Sequence, residues 1–277
     1  MSTIAAPTTP LTNAASRPAH RAPFINPTVL AIELRRVLRN RRTMIFTLVF
    51  PVAMFFFIST SIPKDQQSMG QGVIANVSAW VMVSMAVYGA VIASTGAGAS
   101  VSIERASGWS RQLRLTPLRP TSYIVTKMLS ALVLGAVATA VTFAAGGMSG
   151  KAVASTQAWV VSAVIILIGS LVFAAFGLFI GYLLPSDNAM QFLGPIVAIL
   201  AMLGGIFFPI AAGSTFDTIA SFTPIYGLAQ IAHWPLSQTV VGTHDPFQLS
   251  WALNLAAWTV IFVGGAAWRF RKDTARV

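Results

Sequence analysis

From residue 43 to residue 268 the chain alternates long apolar runs with short polar breaks. The runs cover about 43–62, 73–97, 123–145, 158–184, 190–212 and 251–268, each close to the roughly 20 residues a helix needs to cross a hydrocarbon core. Backbone groups in lipid must be satisfied within their own segment, so the pattern predicts six transmembrane helices. Pro51 predicts a kink in the first, Pro185 ends the fourth, and Pro195 and Pro209 fall within the fifth. Ahead of the first run, Asn26-Pro27 reads as a cap followed by the first helical position. Leu30, Leu34, Val37 and Leu38 then share one face, with Arg35, Arg36, Arg39 and Arg42 opposite. Residues 27–42 are therefore expected to form a basic amphipathic helix in the membrane surface, its guanidinium groups reaching lipid phosphates. Residues 1–26, rich in Ala, Thr, Ser and Pro without an apolar core, read as a disordered tail.

The connection between the fifth and sixth runs does not fit a plain loop. Residues 216–234 are apolar but interrupted by Pro224 and Gly227. Broken re-entrant helices over about 213–235 fit best, because irregular backbone at membrane depth survives only when packed against protein or lining a cavity. A seventh span would move the basic C-terminal tail, 269–277, to the opposite side.

Charge placement argues against that. Only 9% of residues are charged, against about a quarter in a soluble domain, while 55% are hydrophobic. The net charge of +11 sits beside the spans rather than on a soluble basic face, which disfavours nucleic acid as a partner. Sixteen Lys and Arg lie in the first 42 residues, in the island between the second and third runs with Lys127, and in the tail; only Lys64 and Lys151 lie in the remaining connections. That bias puts both termini and the 102–121 island in the cytoplasm. Lys127, near the start of the third run, is expected to snorkel to the surface.

Familiar chemistry is missing from the sequence. There are no cysteines, and His20, His233 and His244 have no ligand-like spacing. Gly146 to Ala152 resembles the end of a phosphate-binding loop, but Ala145 and Ala152 occupy positions that need Gly and Ser or Thr. No apolar run carries an acidic residue at its centre, where burying charge costs about 2.5–3.5 kcal/mol and usually marks an ion path. The chain reads as neither an ATPase nor an ion-coupled pump. Energy for any uphill movement would come from a cytoplasmic partner, and the charged island is where that partner would meet it.

Within the island, Glu104-Arg105, Gly108, Leu113, Thr116-Pro117 and then Lys127 resemble the E-R-x-x-G-x-x-x-x-L-x-x-T-P signature of ABC-2 type transporter permeases, in particular the drug-exporter branch. Trp109 stands where that pattern has threonine. Residues 203–209 are similar to the family's small-residue turn and proline, and 222–226 to its later proline element. The resemblance implies a cytoplasmic coupling helix at about 103–117, with Glu104, Arg105, Gly108, Trp109, Arg111, Leu113 and Pro117 as the ATPase-coupling residues. It also implies an outer gate or substrate path near Gly205, Phe208, Pro209, Pro224, Tyr226 and Trp234.

The expectation is an all-α polytopic protein of the bacterial plasma membrane, its six-helix domain spanning 43–268. The resemblance implies pairing with a second permease subunit and binding of ABC ATPase subunits, which would hold ATP and Mg. This chain itself would need no cofactor or metal. The exported substrate would be a drug-like or lipid-like amphiphile. An ion-coupled secondary transporter or channel is the rival reading, with a membrane enzyme and a non-transporting scaffold behind it.

Overall fold

The structure, a computed structural model, describes residues 27–108, 120–184 and 186–274. The expected 1–26 tail, most of the expected 103–117 coupling helix with Trp109, Arg111, Leu113 and Pro117, Pro185 at the expected end of the fourth run, and residues 275–277 lie outside them, as does the Arg42 side chain.

Helix α1 is described over Pro27–Leu38. A short α2 (Arg41–Met44) passes through a π-helical segment (Ile45–Val49) into α3 (Phe50–Ser61). Pro51 has no N–H to return to the preceding turn, and the Phe50 N–H reaches the Ile45 carbonyl, so the predicted kink takes the form of a widened turn. Helix α4 (Val77–Ala99) begins four residues after its apolar run does, because Asn76 caps it by accepting the Ala79 N–H at 2.9 Å. It continues almost directly into α5 (Val101–Ala106). Then follow α6 (Pro120–Met148), α7 (Thr156–Leu183) and α8 (Ser186–Leu203), the short pair α9 (Thr215–Ala220) and α10 (Pro224–His233), and α11 (Leu249–Thr274).

Among the described residues, four segments are long and apolar enough to cross a membrane: Val77–Ala106, Ser122–Met148, Thr156–Leu183 and Leu249–Arg269. Ile45–Ser61 and Gln191–Leu203 are shorter apolar helices. The fifth run was expected to stay helical to 212; its helix stops at Leu203 instead. Gly205 there takes φ +78°, a left-handed conformation that ends the helix while the apolar sequence carries on.

Helix α4 is the centre of the bundle, buried along most of its length and packed against α3, α6, α7, α8 and α10. Its closest approach is to α7. A Cβ added at Gly98 would lie 2.2 Å from the Ala174 carbonyl oxygen, and one at Gly177 would lie 2.0 Å from that of Thr95. The small residues of these two helices therefore serve packing within the chain, where backbone meets backbone. Helix α11 is the opposite case, with only 11% of its apolar window buried.

The connections at one end of the bundle are laced together. Asn76 Nδ2 donates to the Lys151 carbonyl at 2.7 Å, while Asn76 Oδ1 accepts the Val153 N–H at 3.0 Å. The Ile74 N–H reaches the Gln238 carbonyl at 3.0 Å and the Val240 N–H reaches that of Gly72 at 2.8 Å. The three connections expected on one side of the membrane thus share one end. The segment expected to be broken is two short helices parted at Ser221–Thr223, with α10 buried against α4, α7 and α11. The opposite end gathers α1, α5, the start of α6 and the ends of α7 and α11, and the charged residues of the bundle concentrate there.

Candidate functional site

Helix α1 docks on the bundle through Leu34 and Val37, which pack with Met44 and Met128 around Ala93, Ala97, Ala131 and Leu134. Leu38, expected on the same face, is 50% exposed. Beside Leu34 and Val37 the helix also buries Glu33, an acid on the apolar side of a basic helix. A carboxylate can be buried there only with compensating charge and hydrogen bonds.

Lys127 of α6 supplies both. Its ammonium group donates to Glu33 Oε1, to Glu104 Oε1 and, at 2.8 Å, to the Ser100 hydroxyl, which uses all three N–H donors. Arg36, one turn along α1, bridges the same two carboxylates, with 2.8 Å to Glu33 and a second ion pair to Glu104. The remaining oxygen of Glu104 accepts the Tyr123 hydroxyl. Two acids and two bases balance, and they join α1, α5 and α6 at one point. Lys127 is 2% exposed and does not snorkel; two carboxylates and a hydroxyl replace the water it would have sought. Burial alone would lower the Arg36 guanidinium pKa, but Glu104 and Glu33 outweigh it and hold the group above its ordinary range.

The neighbour of Glu104 points elsewhere. Arg105 donates to the Tyr182 carbonyl at 3.2 Å, and its guanidinium carbon lies 5.4 Å from the centre of the Tyr182 ring. Arg269 of α11 donates to the same carbonyl at 3.4 Å. Both cations sit at the C-terminal end of α7, where the last carbonyls lack helical partners and the dipole favours positive charge. Adjacent residues of α5 thus hold opposite sides: Glu104 grips α1 and α6, and Arg105 grips α7 alongside α11.

Gly108 ends this stem with φ +73°, after the Ser107 N–H has closed on the Ile103 carbonyl at 3.0 Å. Its positive φ calls for glycine there, and among the described residues nothing lies within 4 Å of where its Cβ would stand.

Residues expected to contact lipid divide. Arg35 and Arg39 are exposed, whereas Arg36 turns toward the carboxylates and is 46% exposed. Of the residues expected along a substrate path, Tyr226 is buried, its hydroxyl donating to Asp217 at 2.7 Å. Pro224 opens α10, Gly205 closes α8, and Phe208 is 67% exposed. Pro209 lies in the non-helical stretch that follows α8. Trp234 stacks on His244, with ring centres 4.9 Å apart, and donates to the Asp245 carbonyl at 2.8 Å, so it anchors the connection that follows it.

The sequence profile described as ABC-2 type transporter matches residues 27–232. This chain belongs to the ABC-2 type transporter family. The match runs from the start of α1 nearly to the end of α10, so every member of the ionic network, with Arg105 and Tyr182, lies inside it. "Putative transport permease YvfS" of Bacillus subtilis (strain 168) is 29% identical over 182 residues, covering 64% of this chain and 71% of that protein. An ABC-2 permease is a membrane-embedded transport subunit rather than an ATPase, which agrees with the long apolar helices. Glu33, Tyr123, Ser100 and Tyr182 are the residues of the junction that sequence reasoning passed over. The signal available was Glu33, the one acid among the first 42 residues, placed beside Leu34 and Val37.

Proposed function

We propose that this permease is the transmembrane subunit of an ATP-driven exporter that moves a drug-like or lipid-like amphiphile out of the cell. Separate ABC ATPase subunits, holding ATP and Mg, bind the loop at about 103–117, and a second permease subunit completes the path. The chain crosses the membrane six times, with both termini in the cytoplasm.

The observation that carries this reading is the grip of Glu104 and Arg105 on the stem of that loop. A push on the loop reaches α1 and α6 through Glu104, and α7 and α11 through Arg105. Helix α4 runs into the same stem, so the centre of the bundle moves with it. At the far end, α10 leans on α4, α7 and α11, and a change in their angles shifts Pro224, Tyr226 and Trp234 relative to Gly205, Phe208 and Pro209. Opening there releases substrate.

An ion-coupled transporter would need a buried carboxylate free to take up and give back a proton. Glu33 and Glu104 are instead each engaged by two cations, Lys127 and Arg36, so neither stands free for that role. The test is co-expression with the cognate ATPase, reconstitution in vesicles, and measurement of ATP hydrolysis beside movement of fluorescent amphiphiles. Arg105→Ala is expected to leave the complex assembled and hydrolysing ATP while export falls at least tenfold. Export unchanged in that variant would remove the stem from the mechanism.

A further inference from the structure

The outward face of α1 carries a mixed surface at this end of the bundle whose partner the permease reading leaves open. Ile32 and Leu38 are 64% and 50% exposed, and Arg35 and, just past the helix end, Arg39 are exposed on the same side. Neither arginine faces a carboxylate among the described residues, because Glu33 is turned inward to Lys127 and Arg36. The depth of the helix is set by its other face: Leu34 and Val37 pack with Ala93, Ala97, Ala131 and Leu134, all within membrane-crossing segments. Just beyond, exposed Ile45, Phe46 and Val49 continue the apolar surface down the first short apolar helix, with exposed Arg41 between. A helix held at that depth, showing aliphatic side chains among guanidinium groups, meets acyl chains and headgroups together.

We propose that this face is a binding surface for anionic phospholipid, and that its occupancy steadies the Glu33–Lys127–Glu104 junction on the other face of the same helix. The headgroup phosphate would lie between Arg35 and Arg39, with the chains against Ile32 and Leu38. An acidic protein surface would match the arginines but not the exposed Ile32 and Leu38. A lipid bound here holds α1 against the bundle, and Glu33 and Arg36 travel with it. The inference needs only the membrane-embedded fold, and stands apart from the ATPase and the direction of transport.

The test uses the full chain in phosphatidylcholine vesicles containing a minority of phosphatidylglycerol, with a nitroxide-labelled lipid of either headgroup as probe. The wild type is expected to hold labelled phosphatidylglycerol more tightly than labelled phosphatidylcholine. Arg35→Gln with Arg39→Gln should weaken that hold about thirtyfold at low salt, and the paired Lys variants should restore most of it. Phosphatidylglycerol should also raise the melting temperature of the wild type but not of the double Gln variant. A double Gln variant that folds and keeps its preference would assign the lipid to other basic residues and overturn the proposal. Release of the labelled lipid by inorganic phosphate, at constant ionic strength, would mark a simple anion site and also overturn it.

Discussion

Lys127 and Glu104 form an ion pair with both partners almost wholly removed from solvent, at 2% and 3% exposure. Lys127 also holds Glu33, so one ammonium group fastens the amphipathic helix to the stem of the loop between α4 and α6. A buried pair contributes little net stability when complete, but losing one partner strands a charge. Its role is to fix geometry.

Lys127→Met should therefore be costly. It leaves Glu33 and Glu104 sharing only Arg36, and about 3–5 kcal/mol of stability should be lost. Adding Glu33→Gln rebalances the charge, so the double variant should be more stable than the single one by at least about 1 kcal/mol. Unfolding in mixed micelles, comparing the two, measures this. Equal or additive losses would mean that the two groups are not coupled.

The Glu33–Lys127 contact also marks how far the sequence could be read. The apolar runs and the Leu30, Leu34, Val37 periodicity predict the helices and α1, and Glu104-Arg105 with Gly108 points to the stem. Glu33 and Lys127 lie 94 positions apart, and a lysine at the start of an apolar run ordinarily finds water. Only packing α1 on α6 reveals them as partners. The early end of α8 was hidden for a different reason. Hydropathy continues through Ile206 to Pro209, while the left-handed turn at Gly205 is a backbone event that apolar character does not register.

Two glycines should respond in opposite ways. Gly177→Ala puts a Cβ about where the Thr95 carbonyl oxygen already stands, with 2.0 Å between them, so α4 and α7 must part. A loss of about 1–3 kcal/mol is expected. Gly96→Ala meets nothing within 4 Å among the described residues and should be neutral or stabilising by up to about 1 kcal/mol, since alanine is the better helix former. Melting of the two variants side by side checks the helix crossing.

Asn254 of α11 pins the break between the short helices. Its Nδ2 donates to the Ser221 carbonyl at 2.6 Å and the Thr223 carbonyl at 3.1 Å, and its Oδ1 accepts the Gly227 N–H at 3.1 Å. Asn254→Leu removes all three bonds, and about 2 kcal/mol or more should be lost. Hydrogen exchange should rise locally over residues 215–233 while α4 stays protected. Uniform exchange across the chain would show instead that this segment is not an independently tethered unit.

Arg105 separates packing from coupling. Removing it costs the end of α7 a charged hydrogen-bond donor, worth about 1–2 kcal/mol, with Arg269 still bonded to the same carbonyl. Arg105→Lys keeps the charge but not the planar fork over Tyr182, so it should recover stability more fully than export. Parallel recovery of both would reduce Arg105 to a structural cap.

The central claim is that the energy enters from an ATPase at the stem held by Glu104 and Arg105. The most direct measurement is amphiphile movement in vesicles bearing the permease and its ATPase, with ionophores abolishing every ion gradient. The account predicts that movement begins when ATP is added and stops when hydrolysis is blocked. Movement that ignores ATP and follows an imposed proton or sodium gradient would contradict it.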